Sequence, residues 1–553
     1  MYIRRIHSRL ADGSRVSYLQ LAHKVRHPET GVPTDEVLHH FGREDQLDPE
    51  QLKRLARSIS RFLEPSDQAE IEARLEGRWE DGVVEQSLSW GGSYLLDAVW
   101  RRLELDEVVG ELLTKRSFEH DLERLLFALV AGRALNPSSK LALEEWVGRE
   151  VWIEGLEEVS VHTLYRAMDF LAEHEEEIQR AVYFSVATLL NLEVDLLFFD
   201  TTSTYFEVEE EDELRRWGHS KDRREDLPQI VIGLAVTREG IPVRCWVLPG
   251  NTSDASVIED VQRDLAGWKL NRVVWVIDRG MGGEQQRLAL QRGGGHVIMG
   301  EKLRSGAKIP QEVLSHPGRY SPVRENLEVK EVVLGEGSER RRYVIVRNPE
   351  QAERDRHQRE EMLARLEEEI ETLNAGISKR DGQHNKRVCA LTTHPTMGRY
   401  LRELKNGELR IDRSRVREEE KLDGKYVLYT SDPSLATADV ALGYKQLLLV
   451  EDAFRTIKST LDLRPVYHRL EDRIRSHVLL CWLALLLVRV IENECGQTWR
   501  RIRREMSRLH RVIFSSKDGR VHLASRLTAQ QRNILRAMKI DPPKPVHRVE
   551  TPT

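Results

Sequence analysis

Three acids stand where carboxylates could hold a divalent cation. Asp200 ends a nearly all-apolar run, Val194 to Phe199, and Asp278 ends a second, Arg272 to Ile277. Such runs read as central strands buried on both faces. A carboxylate there is costly unless a cation or a hydrogen-bond network offsets its charge. Adjacent strands that end together bring their terminal side chains within a few ångströms, so the two acids could share a metal. Oxygen-only ligands suit Mg²⁺ or Mn²⁺, and two such ions about 4 Å apart can stabilise both oxygens of an in-line displacement at phosphorus. The third acid, Glu451, lies in Tyr444-Lys445-Gln446-Leu447-Leu448-Leu449-Val450-Glu451-Asp452-Ala453-Phe454-Arg455-Thr456-Ile457-Lys458. On one continuous helix this spacing puts Tyr444, Glu451 and Lys458 on a single stripe. It equally allows a plain i,i+4 ion pair between Glu451 and Arg455. Both readings stay open at this point.

The elements that must position these acids follow from periodicity. Residues 1–45 alternate in steps of two, as in Arg15-Val16-Ser17-Tyr18-Leu19-Gln20-Leu21, which predicts a small antiparallel β region. Residues 46–190 turn helical, with Ser160 to Thr163 as a cap. Residues 191–302 predict the order β-β-β-α-β-α-β. Its strands are the two apolar runs, Ile230 to Val236, Ile241 to Leu248 and His296 to Gly300; its helices run from Asn251 to Trp268 and from Glu284 to Gln291. Residues 303–425 read as an insertion, with a hairpin over Val329 to Val346 and a charged helix from Pro349 to Leu373. On that helix Met362, Leu366, Ile370 and Leu373 form a seam, for a neighbouring element or a coiled-coil partner. Residues 426–515 carry one long helix from Ala436 through Glu451, with Leu448, Ala441 and Phe454 pressing it onto the sheet, and then two more helices. Residues 516–553 read as a C-terminal tail.

Bulk properties bound the class. The 553 residues carry 85 Lys plus Arg against 91 Asp plus Glu, a formal charge of −6, so no overall basic excess announces a nucleic-acid partner. Local clustering sets the field that DNA feels, however. The four cysteines show no CxxC spacing and read as reduced thiols. Met1-Tyr2-Ile3-Arg4-Arg5 lacks the apolar run of a signal peptide. The apolar stretch Val478 to Val488 is about half of the ~20 residues that a membrane span requires. These features predict a cytoplasmic chain with no membrane partner.

The ordered set Asp200, Asp278, Glu451 resembles the DDE transposases of bacterial insertion sequences. Tyr444-x2-Leu447-x3-Glu451-x6-Lys458 is similar to the Y-R-E-K signature of one large group of them, with Leu447 at the arginine position. Gly218-His219-Ser220-Lys221-Asp222, Gly250-Asn251-Thr252-Ser253-Asp254 and Asp278-Arg279-Gly280-Met281 are also similar to stretches in such enzymes. The resemblance covers about 194–495 and implies an α/β fold. Its centre would be a ribonuclease-H-like mixed sheet with flanking helices, interrupted by a β-rich insertion and preceded by small β and helical domains, the helical one binding DNA ends. It implies catalysis with two Mg²⁺ or Mn²⁺ ions on Asp200, Asp278 and Glu451. DNA ends would be cut to 3′-hydroxyls and joined to target DNA, within a homodimeric synaptic complex at the bacterial nucleoid. Tyr444 and Lys458 would contact phosphates, with Lys445 or Arg455 standing in for the missing arginine, and Lys221 and Asp222 would support the acids. A metal-dependent nuclease without strand transfer, or a non-catalytic DNA-binding descendant, are the alternatives. Tyr467, Arg469, Arg473 and His477 offer the residue types of a tyrosine recombinase, but on one short segment.

Arg500, Arg501, Arg503 and Arg504, followed by Arg508 and Arg511, read as a concentrated basic helix that suits a duplex backbone. Replacing Arg500, Arg501, Arg503 and Arg504 by Ala should weaken DNA binding. The slope of log affinity against log salt should flatten by about one unit per lost phosphate contact; an unchanged slope in a folded variant would remove this stretch from the interface.

Overall fold

The computed structural model describes residues 2–9, 15–26, 33–44, 47, 49–62, 67–68, 71, 83–114, 121–190, 195–253, 256–257, 261, 273–278, 296–303, 308–337, 340–376, 382–516 and 519–550. Its strands are β1 (Tyr2–Arg9), β2 (Arg15–Arg26), β3 (Pro33–Arg43), β4 (Val83–Ser89), β5 (Asp195–Tyr205), β6 (Gln229–Val236), β7 (Pro242–Pro249), β8 (Val273–Ile277) and β9 (His296–Gly300). There follow β10 (Ser321–Arg324), β11 (Leu327–Leu334), β12 (Arg341–Arg347), β13 (Leu401–Glu403), β14 (Leu409–Ile411), β15 (Lys425–Thr430), β16 (His510–Ser516), β17 (Gly519–Ala524) and β18 (Val546–Glu550). Of the helix expected from Asn251 to Trp268, residues 256–257 and 261 are described and are helical, with Val257 N–H donating to Ser253 O at 3.2 Å; the helix expected around Glu284 to Gln291 lies outside the described residues. The chain folds as two compact units: residues 1–92, 148–152 and 501–553, and residues 93–147 and 153–500.

In the first unit the period-two stretch forms the antiparallel sheet β1-β2-β3. A second antiparallel sheet runs β18-β17-β16-β4. The residues expected as a tail therefore fold. In β17 the consecutive Val521 and His522 are both buried. The helix Ala529–Ala537 starts at a Thr528–Gln531 capping box and buries Ile534 and Leu535. Arg511 departs from its expected place on a basic helix. That helix ends at Met506, and Arg511 lies buried in β16 with its guanidinium 3.8 Å from the Trp152 ring centroid. Its Nε donates to His522 Nδ1 at 3.2 Å. The packed ring and the bonded imidazole take Arg511 out of reach of a duplex.

The second unit is built on a nine-stranded mixed sheet, ordered β10-β11-β12-β15-β9-β8-β5-β6-β7. Only β5-β8 and β8-β9 pair in parallel; every other pairing is antiparallel. The expected insertion splits in two. Its hairpin belongs to the main sheet, because β15 pairs with β9 over Leu428 to Thr430 and carries β12, β11 and β10 with it. Buried Tyr343, Val344, Ile345 and Val346 on β12 make a central strand, not the edge of a separate domain. What stands aside is helical: Pro349–Ala375, Gly382–Thr392 and Arg413–Glu420, with the short β13-β14 hairpin. These close on their own core of Leu363, Leu366, Ile370, Leu373, Leu391, Tyr400, Leu401, Leu409 and Val416, with Met362 at its margin. The Met362–Leu373 seam is thus met within the chain.

Helix Glu471–Cys495 is the one among the described residues long and apolar enough to cross a membrane, and 89% of its most apolar stretch is buried in protein. It packs against β7 and the helices Leu122–Leu135 and Val161–Glu173. Helix Leu448–Ser459 lies on β5 and β6, and helix Thr437–Lys445 on β8, β9, β11, β12 and β15.

The loop between β5 and β6 is clamped through two glycines. Arg216 and Gln229 exchange main-chain bonds of 3.0 and 2.9 Å, and Gly250 N–H donates to Leu214 O at 3.1 Å. A Cβ on Gly218 would meet the carbonyl of Gly250, and one on Gly250 the carbonyls of Gln229 and Arg216, at separations real side chains do not adopt. Gly250→Ala should therefore cost about 1–3 kcal/mol or more of stability. A denaturant midpoint within error of wild type would show that the clamp yields.

Candidate active site

Strand register decides where the first two acids meet. Phe199 pairs with Ile277 across the parallel β5-β8 ladder, so Asp200 and Asp278 leave that ladder side by side, on strands about 4.8 Å apart. One expectation needs correcting: β5 does not end at Asp200. It runs on to Tyr205, with Asp200 opposite Leu234 and Tyr205 opposite Gln229 on β6. The β-branched Thr201, Thr202 and Thr204 favour extended backbone and sustain it. Asp200 thus sits where β5 loses one neighbour and keeps the other, which opens one side of its carboxylate.

Asp200 Oδ1 accepts from the Thr201 N–H at 2.7 Å and lies 3.4 Å from Lys221 Nζ. Lys221 Nζ also donates to Thr201 Oγ1 at 3.0 Å. Burial, foremost, raises the Asp200 pKa, and the charge of Asp278 adds to it; Lys221 and the Thr201 N–H oppose the rise. Asp278, half-buried, accepts from the Tyr444 hydroxyl at 3.2 Å, and the Tyr444 ring leans on Tyr426 of β15 at 5.8 Å. The same loop that delivers Lys221 delivers Asp222, which pairs with Lys458 at 2.9 Å and Arg464 at 3.4 Å. Burial, foremost, lowers the Lys458 pKa, and Asp222 works against that. Trp217 on this loop is 47% exposed.

Glu451 is not added to this cluster. The expected long helix is two, Thr437–Lys445 and Leu448–Ser459. Between them Gln446, Leu447, Leu449 and Val450 donate three residues back, to Gly443, Tyr444, Gln446 and Leu447. Bonds of that kind tighten the turn to three residues, so a spacing of seven no longer keeps Tyr444, Glu451 and Lys458 on one stripe. Leu448, expected against the sheet, is 60% exposed, while Leu447, Ala441 and Phe454 are buried. Glu451 itself is exposed in the first turn of its helix. The alternative i,i+4 pair does not form either, since Arg455 pairs with Asp452 at 2.7 Å. Among the described residues no three acids, histidines or cysteines gather as a metal would need.

The donor set of Asp200 and Asp278 nevertheless suits a divalent cation. Two oxygen ligands, one burdened by burial and by its neighbour's charge, gain from added positive charge, and Lys221 already supplies part of it. Lys445 is half-buried and its pKa is lowered, by burial foremost and by Arg324. Arg455, Arg500, Arg501 and Arg504 are exposed and Arg503 is half-buried. Tyr426 and Arg464 were not legible beforehand: no spacing links them to the acids, and only strand pairing and the loop path do so.

Asp200 yields a stability test. Its folded pKa lies above the unfolded value near 3.8, so its contribution is fully present below that pH and is lost as pH rises through the folded pKa. In chelator, Asp200→Asn should stabilise the protein at neutral pH by about 0.5–2 kcal/mol, with the gain fading toward pH 3.8. A loss of stability at neutral pH would mean that the ion pair with Lys221 outweighs burial.

The comparisons with known proteins agree with the strand-end acids in where they point. The family model "Transposase DDE domain" matches residues 197–487, and "IS1634 family transposase, N-terminal domain" matches residues 3–70. No curated protein matches. Among solved structures, a piggyBac transposase synaptic complex with hairpin DNA is 12% identical with a TM-score of 0.33, over 72% of this chain and 75% of that one. With the DDE model spanning more than half of its length, this chain belongs to the DDE-domain transposase family of bacterial insertion sequences.

Proposed function

We propose that the protein cuts the ends of its insertion sequence by metal-dependent phosphodiester hydrolysis and joins the resulting 3′-hydroxyls to target DNA. The observation that carries the reading is the parallel register that sets Asp200 beside Asp278 at the open end of β8. On this reading the mixed sheet is of the ribonuclease-H type, the enzyme works as a homodimer on DNA in the cytoplasm, and Asp200 and Asp278 hold Mg²⁺ or Mn²⁺ with Glu451 as the third ligand. When bound, two such ions would activate the attacking oxygen and neutralise the leaving one.

The chain's own residues do the rest. Tyr444 fixes the Asp278 carboxylate through its hydroxyl. Lys221 holds Asp200 as counter-charge and, on this reading, turns toward a phosphate oxygen when a cation replaces it. Lys458 is oriented by Asp222 beside the same loop, ready for a phosphate next to the cut. Exposed Arg500, Arg501 and Arg504 track the duplex backbone. Glu451, whose helix lies on β5 and β6, is reached by a further movement of that helix or of its side chain.

Asp200→Ala and Asp278→Ala should each lower Mg²⁺-dependent cleavage of terminal DNA by at least a thousandfold while leaving DNA binding near wild type, the scale of losing a group that acts on the transition state. Glu451→Gln keeps size and removes charge; a comparable defect would place it among the ligands. Near wild-type cleavage by either Asp variant would defeat the assignment, and full activity of Glu451→Gln would leave a two-carboxylate site.

A further inference from the structure

Apart from the strand-end acids, the second unit holds a cavity of about 250 Å³ lined by, among others, Arg133, Lys140, Tyr165, Arg464, Tyr467 and His468. Its inner wall is cationic. Lys140, 6% exposed, donates from Nζ to His477 Nδ1 at 3.1 Å, and His477 Nε2 meets the Leu463 carbonyl at 3.0 Å. A carbonyl only accepts, so Nε2 carries the proton, Nδ1 accepts from the ammonium, and the ring is neutral. Arg133, also 6% exposed, points its guanidinium at the carbonyls of Asp462 and Ser138. Among the described residues neither Arg133 nor Lys140 has a carboxylate within ion-pair distance. Asp462 meets Arg133 through its main chain, and the residue is exposed. Burial, foremost, and the charge of Arg133 bring Lys140 down to about 7. Near neutral pH the amine is therefore charged only in part, and an anion seated beside it and Arg133 would favour the ammonium and offset the burial of both groups.

The cavity is also tied to the candidate active site. Arg464 lines it and pairs with Asp222 at 3.4 Å, and Lys221, next in the chain to Asp222, lies 3.4 Å from Asp200. Two ion pairs, joined through the neighbouring residues Lys221 and Asp222, therefore connect Asp200 to the cationic cavity. Tyr467, 78% exposed at the cavity, offers a ring face to a neighbouring base. We propose that this cavity, with Lys140 and Arg133 at its base, binds a backbone phosphate of the DNA strand held for cleavage. The proposal rests on the reading of the chain as a DNA-cutting enzyme; the chemistry it requires is that of a phosphate oxyanion.

Full-length wild type and Lys140→Met are compared in two measurements. In the first, inorganic phosphate is titrated at constant ionic strength against chloride, and the melting temperature is followed. Wild type should rise and saturate, and Lys140→Met should not respond. In the second, the salt dependence of binding to single-stranded terminal DNA is measured, and Lys140→Met should lose about one unit of slope. Equal behaviour of a folded Lys140→Met in both would overturn the site. A lost phosphate response with an unchanged DNA slope would overturn the DNA assignment and leave free phosphate as the ligand. Wild type that binds no DNA would bring down the transposase reading, while the phosphate titration still decides the cavity. If Lys140→Met does not fold, Tyr467→Ala on the exposed ring replaces it. It should weaken single-stranded DNA about tenfold without altering the phosphate response, and unchanged affinity overturns the proposal.

Discussion

The pairing of β5 with β8 places two carboxylates of like charge at one point of a buried sheet, and much of the surrounding structure compensates for that. Burial and mutual repulsion both resist ionisation of Asp200. The Thr201 N–H and Lys221 answer on one side, and the Tyr444 hydroxyl holds Asp278 on the other. Each partner comes from a different part of the chain: the strand itself, the loop after it, and a helix far downstream. The site is stable only where those three segments converge, so the convergence is itself a product of the fold.

That arrangement explains why the loop between β5 and β6 is held so firmly. Gly218 and Gly250 let main chains approach where no side chain fits, and Gln229 supports the contact with a bond to Gly250 O at 3.2 Å. The loop then presents Lys221 and Asp222 in opposite directions, one to the acids and one to Lys458 and Arg464. Charge alternates along this path: Asp200, Lys221, Asp222, Arg464. Alternation of this kind keeps each partly buried charge paired.

The exposed Glu451 fits the same logic. A third carboxylate added to Asp200 and Asp278 without a cation would raise the cost already visible at Asp200. Its helix lies on β5 and β6 and buries Ala453, Phe454 and Ile457, while the tight turn at Gln446–Leu447 separates it from the segment that carries Tyr444. The two halves of the expected signature are thus mechanically distinct, one fixed to Asp278 and one facing solvent.

Local pattern determined a good deal. The apolar runs ending at Asp200 and Asp278, the strands β6, β7 and β9 and the alternating N-terminal strands were all readable, because burial imposes a period that neighbours in sequence reveal. The family could be read from the order and spacing of its acids. Tertiary structure alone decided the rest. No local signal tells that β15 pairs with β9 and so draws the expected insertion into the main sheet, since hydrogen-bonding partners distant in sequence leave no periodic trace. The break before Leu448 leaves no local signal, because every residue from Lys445 to Val450 tolerates a helix; in the structure Leu447 is buried where the three-residue bonds tighten the turn. Arg511 looked like one more cation on a basic run, yet Trp90 and Trp152, both remote in sequence from that run, and His522 on the neighbouring strand enclose it. Charge is written in the sequence; whether it faces DNA or a ring is set by what the fold brings against it.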